Sequence, residues 1–100
     1  MRERVRLRIE EWQIDDGNLS ELAKHGATGK TVHQVWREQP RYRYNRKKNR
    51  TATHEMVGPD RGGKMWVIFI KEVNYQPGLW RPITGWEAEG PDKEWYRRNK

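Results

Sequence analysis

At 100 residues, with a formal charge of +7, 33% apolar side chains and no cysteine, the chain has room for one domain and one modest core. That composition excludes a disulfide framework, a thiolate metal site and a thiol nucleophile, and no apolar run approaches a membrane span. Its basicity puts nucleic acid first among partner classes and an acidic protein surface second.

Six Trp, four Tyr and one Phe concentrate burial in a few large side chains, so a folded domain over residues 1–100 is expected despite 35% charged residues. His25, His33 and His54 are isolated and lack metal-ligand spacing, so no metal or other cofactor is expected. The start "MRERVRLRIEEW" has no apolar leader-like stretch. A soluble cytoplasmic protein is the expectation.

The elements follow in chain order. "RVRLRIEE" alternates strictly, with Val5, Leu7 and Ile9 on one face and Arg4, Arg6 and Arg8 on the other, the period of a half-buried strand. "DDGNLSELAKHG" predicts a short helix capped by Asp15 or Asp16, with Leu19, Leu22 and Ala23 as its apolar stripe and Gly26 just past its end. A second helix starts at Thr28, presents Val32, Val35 and Trp36 to a core, and stops before Pro40.

Beyond Pro40 the period changes to two. "TATHEMVG" and "KMWVIFIKEV" read as strands joined by the "PDRGG" turn. "WVIFI" is apolar on both faces, which predicts a central strand covered on each side. "LWRPITGW" is a further strand in which Pro82, having no N–H for the ladder, predicts an edge or a bulge. "PDKEWYRRNK" closes the chain as a helix with Pro91 in its first turn. The expected fold is therefore α+β: a single two-layer domain in β-α-α-β-β-β-α order, with a mainly antiparallel four-stranded sheet and helices on one face.

Three segments resemble one family. "KHGATGKTVHQVW" (24–36) is similar to the double-helix signature of BrnT-type toxins, which belong to the RelE/ParE superfamily. "VGPDRGGKMWVIFI" resembles that family's glycine turn and apolar central strand, and "WRPITGWEAEGPDKEWY" (80–96) its closing pattern. The resemblance implies a RelE-like fold and a ribosome-independent endoribonuclease, the toxin of a type II toxin–antitoxin pair. It also implies a hetero-oligomer with a small cognate antitoxin, typically of the ribbon-helix-helix type. This chain departs from the family pattern in having Trp86 for an arginine, Pro82 for a valine and Asp92 for a glutamate.

Metal-free RNA cleavage needs a base for the 2′-hydroxyl, an acid for the leaving oxygen and cations where charge develops on the phosphate. The candidates are His54 and Glu55 as acid or base, with Lys64 and Arg81 as phosphate stabilisers. His54 and Glu55 are adjacent on one strand and so face opposite ways; only one can join an open face. For each, a packing or charge-balancing role competes with the catalytic one.

"RYRYNRKKNR" (41–50) holds six cations and no acid. A run of like charge is usually a solvated loop. Here Tyr42 and Tyr44 are interleaved for stacking, and other cations stand near both ends of the chain, so a phosphate-contacting RNA rim is expected from Arg41, Arg43, Tyr44, Arg46, Lys47, Lys48 and Arg50. The same patch suits an acidic antitoxin segment. Two other classes compete with the nuclease: a non-catalytic nucleic-acid- or antitoxin-binding module, and a gyrase-directed toxin of the ParE branch, which the closing motif disfavours.

Overall fold

A computed structural model of the chain describes residues 5–46 and 51–100, so Lys47, Lys48 and Arg50 lie outside the described residues. The element order is β1 (Glu11–Trp12), α1 (Asp16–Ala23), α2 (Gly29–Arg37), β2 (Arg41–Tyr44), β3 (His54–Pro59), β4 (Met65–Glu72), β5 (Leu79–Glu87) and α3 (Gly90–Arg98). The class is α+β, as expected. The five strands lie in the order β1-β5-β4-β3-β2, antiparallel except for the parallel β1–β5 pair.

The expectation of four strands is corrected to five. "RYRY" (41–44) is itself a strand, paired with β3 from Arg41↔Val57 to Tyr44↔His54. The first strand also moves. Val5, Leu7 and Ile9 keep their half-buried alternation, but ladder bonds begin only where Glu10 and Glu11 donate to the Gly78 carbonyl, at 2.8 and 3.2 Å. Alternation reports which face is covered. It does not report whether a backbone partner runs alongside.

Helices on one face is likewise corrected. Met56, Ile68 and Ile70 point to the side where Leu22, Val32 and Val35 of α1 and α2 pack, joined by Trp12 and Trp80. Val57, Val67 and Phe69 point the other way and are covered by Tyr96 of α3 together with Ala52 and Ala88. The doubly apolar "WVIFI" stretch thus has material on both sides, and β4 is the middle strand. Tyr96 fixes α3 further by donating its hydroxyl to the Gln39 carbonyl at 3.0 Å.

The helix starts obey local rules. Asp15 and Thr28 each accept the backbone N–H three residues on, while the residue there, Asn18 or Thr31, accepts the cap's own N–H. Gly26 takes the left-handed turn after α1 at φ 82°, open to glycine at little strain. Leu19, expected in the apolar stripe, is exposed, and Asn18 is buried instead because its side-chain amide donates to the Gln13 carbonyl at 2.8 Å. Pro82 sits at a bulge: Phe69 pairs with Thr84 and Ile70 with Pro82, leaving Ile83 as the extra residue.

Candidate nucleic-acid interface

Period two along β2 sends its side chains to alternate faces. Tyr42 packs against the core that α1 and α2 cover, and burial pushes its phenol up to about 12, so it stays protonated. Tyr44, on the same face but at the strand's end, is 63% exposed and lies with its ring centroid 5.0 Å from that of His54. Arg41 and Arg43 take the face beneath α3.

Arg43 is occupied by structure. Its guanidinium contacts Glu55 at 2.8 Å and Asp92 of α3 at 2.6 Å, and it lies 4.6 Å from the centre of the Trp95 ring. Arg41 donates its Nε to the Asn99 carbonyl at 2.8 Å, just past the end of α3. Two of the arginines expected to contact phosphate therefore fasten a helix to the sheet edge.

Along that edge runs a groove of about 800 Å³, bounded by residues 5–7, β2 and the C-terminal end of α3. Arg6, Arg41, Arg43, Arg46, Arg98 and Lys100 line it, with Tyr42, Tyr44 and Trp95, and no carboxylate side chain appears among its described lining residues. Arg6, Arg46, Arg98 and Lys100 are exposed. Pairing on β2 alternates as well. Asn45 donates its N–H to the Thr53 carbonyl at 3.0 Å, so Arg43 and Arg41 face β3 with their backbone groups, and those of Tyr42 and Tyr44 face outward.

The four catalytic candidates are not brought together. His54 faces the α1/α2 side beside Tyr44, with the Trp80 ring edge-on at 5.6 Å and Thr53 Oγ1 2.8 Å from its Nδ1. Burial lowers the pKa of His54, against a smaller raising effect of Glu72, which leaves the ring neutral at pH 7. Glu55 is 4% exposed on the opposite face, in the Arg43 ion pair. Lys64 stands at the far end of the β3–β4 hairpin, roughly 17–20 Å along the strand from His54, with its ammonium over Trp66. Arg81 lies on β5 and binds Asp15, the cap of α1, through both terminal nitrogens.

Strand order explains the separation. β4 and β3 stand between β5 and β2, about 14 Å of sheet, so Arg81 and Trp86 are both remote from the groove. Trp86 packs on Phe69 with ring centroids 4.7 Å apart. Sequence reasoning missed Trp95. Its spacing of three from Asp92 on a helix start was the available signal that both share one face. Also missed was a second hollow of about 400 Å³ beside His54, lined among others by Lys71, Glu72 and Trp80.

Among the described residues no group of three or more His, Asp or Glu side chains is placed to hold a metal ion, and no helix is long and apolar enough to cross a membrane. Fold and groove together define a small basic α+β domain with a cation-lined sheet edge. The chain matches no family model, no curated protein and no solved structure.

Proposed function

We propose that this protein binds single-stranded RNA in the cytoplasm, along the open edge of β2. The observation that carries the reading is the groove: Arg6, Arg46 and the cations at the end of α3 converge on one channel with no carboxylate side chain among its described lining residues. Cations in that arrangement neutralise successive phosphates, and the exposed Tyr44 ring offers a base a stacking surface. A single strand is favoured over a duplex because only unstacked bases can lie on such a ring.

The test is binding of an oligouridylate over a salt series. Log affinity should fall linearly with log salt, by about 0.7 for each phosphate contact on a single strand. Replacing Arg6, Arg46 and Lys100 together by alanine should reduce the slope by roughly 2. Affinity that ignores salt would overturn the reading.

A second reading adds cleavage, and His54 favours it. A neutral imidazole beside the exposed Tyr44, at the end of the groove, is suited to take a proton from a 2′-hydroxyl. The resemblance to BrnT-type toxins supports the same step. On this reading the protein is the toxin of a pair and forms a complex with a small antitoxin, whose acidic segment would compete with RNA for the groove. A neighbouring reading frame for a ribbon-helix-helix protein would support it.

A further inference from the structure

The geometry points to the hollow bounded by His54, Trp80 and Glu72 as a pocket for one guanine of a bound strand. This rests on the RNA-binding reading and names the base that it would select. The hollow, about 400 Å³, is ample for one nucleobase and meets the basic groove where Tyr44 and His54 stand side by side. Tyr44 lines the groove, His54 lines the hollow, and their rings are 5.0 Å apart, so a strand leaving the groove passes over aromatic surface into it.

Its walls are fixed. Trp80 is buried, and its Nε1 donates to the Arg8 carbonyl at 2.9 Å, while His54 meets its ring at 73°. The imidazole, neutral at pH 7 because it is partly buried, is a stacking partner and not a further cation.

Glu72 carries the choice of base. Its Oε2 accepts the Gly78 N–H at 2.9 Å, which sets the carboxylate in place, and the side chain is exposed, so Oε1 is open to a ligand. A carboxylate opposes phosphate binding, so in a hollow that takes part of an RNA strand it suits the base and not the backbone. Of the four RNA bases, guanine alone presents two adjacent donors, N1–H and N2–H, on its Watson–Crick edge. Adenine and cytosine would set a ring-nitrogen lone pair against the carboxylate, and uracil would flank its one N–H with carbonyls. Lys71 precedes Glu72 on β4 and turns its side chain to the opposite face, so Glu72 alone reads the base edge.

The experiment uses the full chain and four probes: GMP, AMP, and oligouridylates carrying one central guanine or one central adenine. GMP, and not AMP, should move the indole N–H NMR signal of Trp80. The guanine strand should bind about tenfold more tightly than the adenine strand. Glu72→Gln keeps an acceptor for Gly78 but loses the paired one, and should bring the two strands to equal affinity. Equal binding of the two strands by the unaltered protein, with GMP moving no signal, overturns the pocket, and salt-dependent oligouridylate binding would then still uphold the RNA reading. A GMP response in a protein that binds no oligouridylate upholds the guanine site and removes the RNA reading.

Discussion

Arg43 and Asp92 meet at 2.6 Å across the junction of β2 and α3, and the same guanidinium reaches the buried Glu55 at 2.8 Å. One side chain thus ties a helix, an edge strand and its neighbour together beneath Trp95. The arrangement fixes the floor of the groove. It also removes Arg43 from the cations available to a ligand.

Breaking a buried pair by removing one partner leaves the other charge desolvated, which typically costs about 3–5 kcal/mol. Arg43→Met should therefore destabilise the fold by about that much in urea unfolding, because Glu55, with its side chain 6% exposed, loses its cation. Adding Glu55→Gln should recover a large part of the loss. A single Arg43→Met variant with unaltered stability would show that the cluster is not what holds α3 in place.

Asp15 and Arg81 give a pH prediction. The hydrogen bond from Arg81, followed by that from the Asn18 N–H, lowers the Asp15 carboxyl to about 2. The unfolded value is about 3.9, so the folded pKa is the lower of the two. The stabilisation is then complete above about pH 4 and is lost as pH falls through about 2. Arg81→Gln should flatten the fall of the urea midpoint across this window and leave RNA affinity unchanged, because Arg81 stands three strands from the groove. The effect is small, since the pair lies in solvent. An acid profile that keeps its slope would contradict it.

Tyr42 and Tyr44 should separate cleanly. Tyr44→Ala removes an exposed ring, so stability should hold within about 0.5 kcal/mol while RNA affinity falls by about 1–3 kcal/mol, the usual loss of one stacked base. Tyr42→Ala opens the core under β2 and should destabilise by roughly 2–4 kcal/mol. Equal RNA losses from both, after correction for unfolding, would remove stacking from the account.

These tyrosines show where the sequence was legible. The helix caps at Asp15 and Thr28, the bulge at Pro82 and the double-sided burial of residues 66–70 all follow from local chemistry, and they were readable. "RYRY" follows the same period-two rule, yet its charge drew the reading toward a phosphate-contacting rim beside the sheet. What makes it a strand is its pairing with β3, ten or more residues later, and the cover it receives from the α1/α2 core on one face and α3 on the other. The alternation at residues 4–9 misled in the other direction, because a parallel partner on β5 cannot be seen from one strand's pattern. The catalytic candidates failed to converge for a related reason. Strand order is a long-range property, and it sets Arg81 and His54 on strands separated by β4.

On the cleavage reading, His54 is the base. If the 2′-hydroxyl attacks its own phosphate, the chemistry needs a base and stabilised charge, so cleavage should survive EDTA and leave a 2′,3′-cyclic or 3′-phosphate end. His54 is partly buried and its pKa lies below the ordinary value near 6.5, so the rate should rise with pH through the acid range and be level by neutrality. His54→Ala should reduce the rate by about 10²–10⁴. Lys64→Ala and Arg81→Gln should leave it within a few fold, because one residue sits at the far end of the hairpin and the other holds the cap of α1. Glu55→Gln should alter the rate only as far as it alters stability, since that carboxylate lies on the opposite face in an ion pair. Folded protein that binds the oligouridylate and leaves every strand intact would reduce the function to binding alone. Cleavage that stops in EDTA would take the chemistry away from His54.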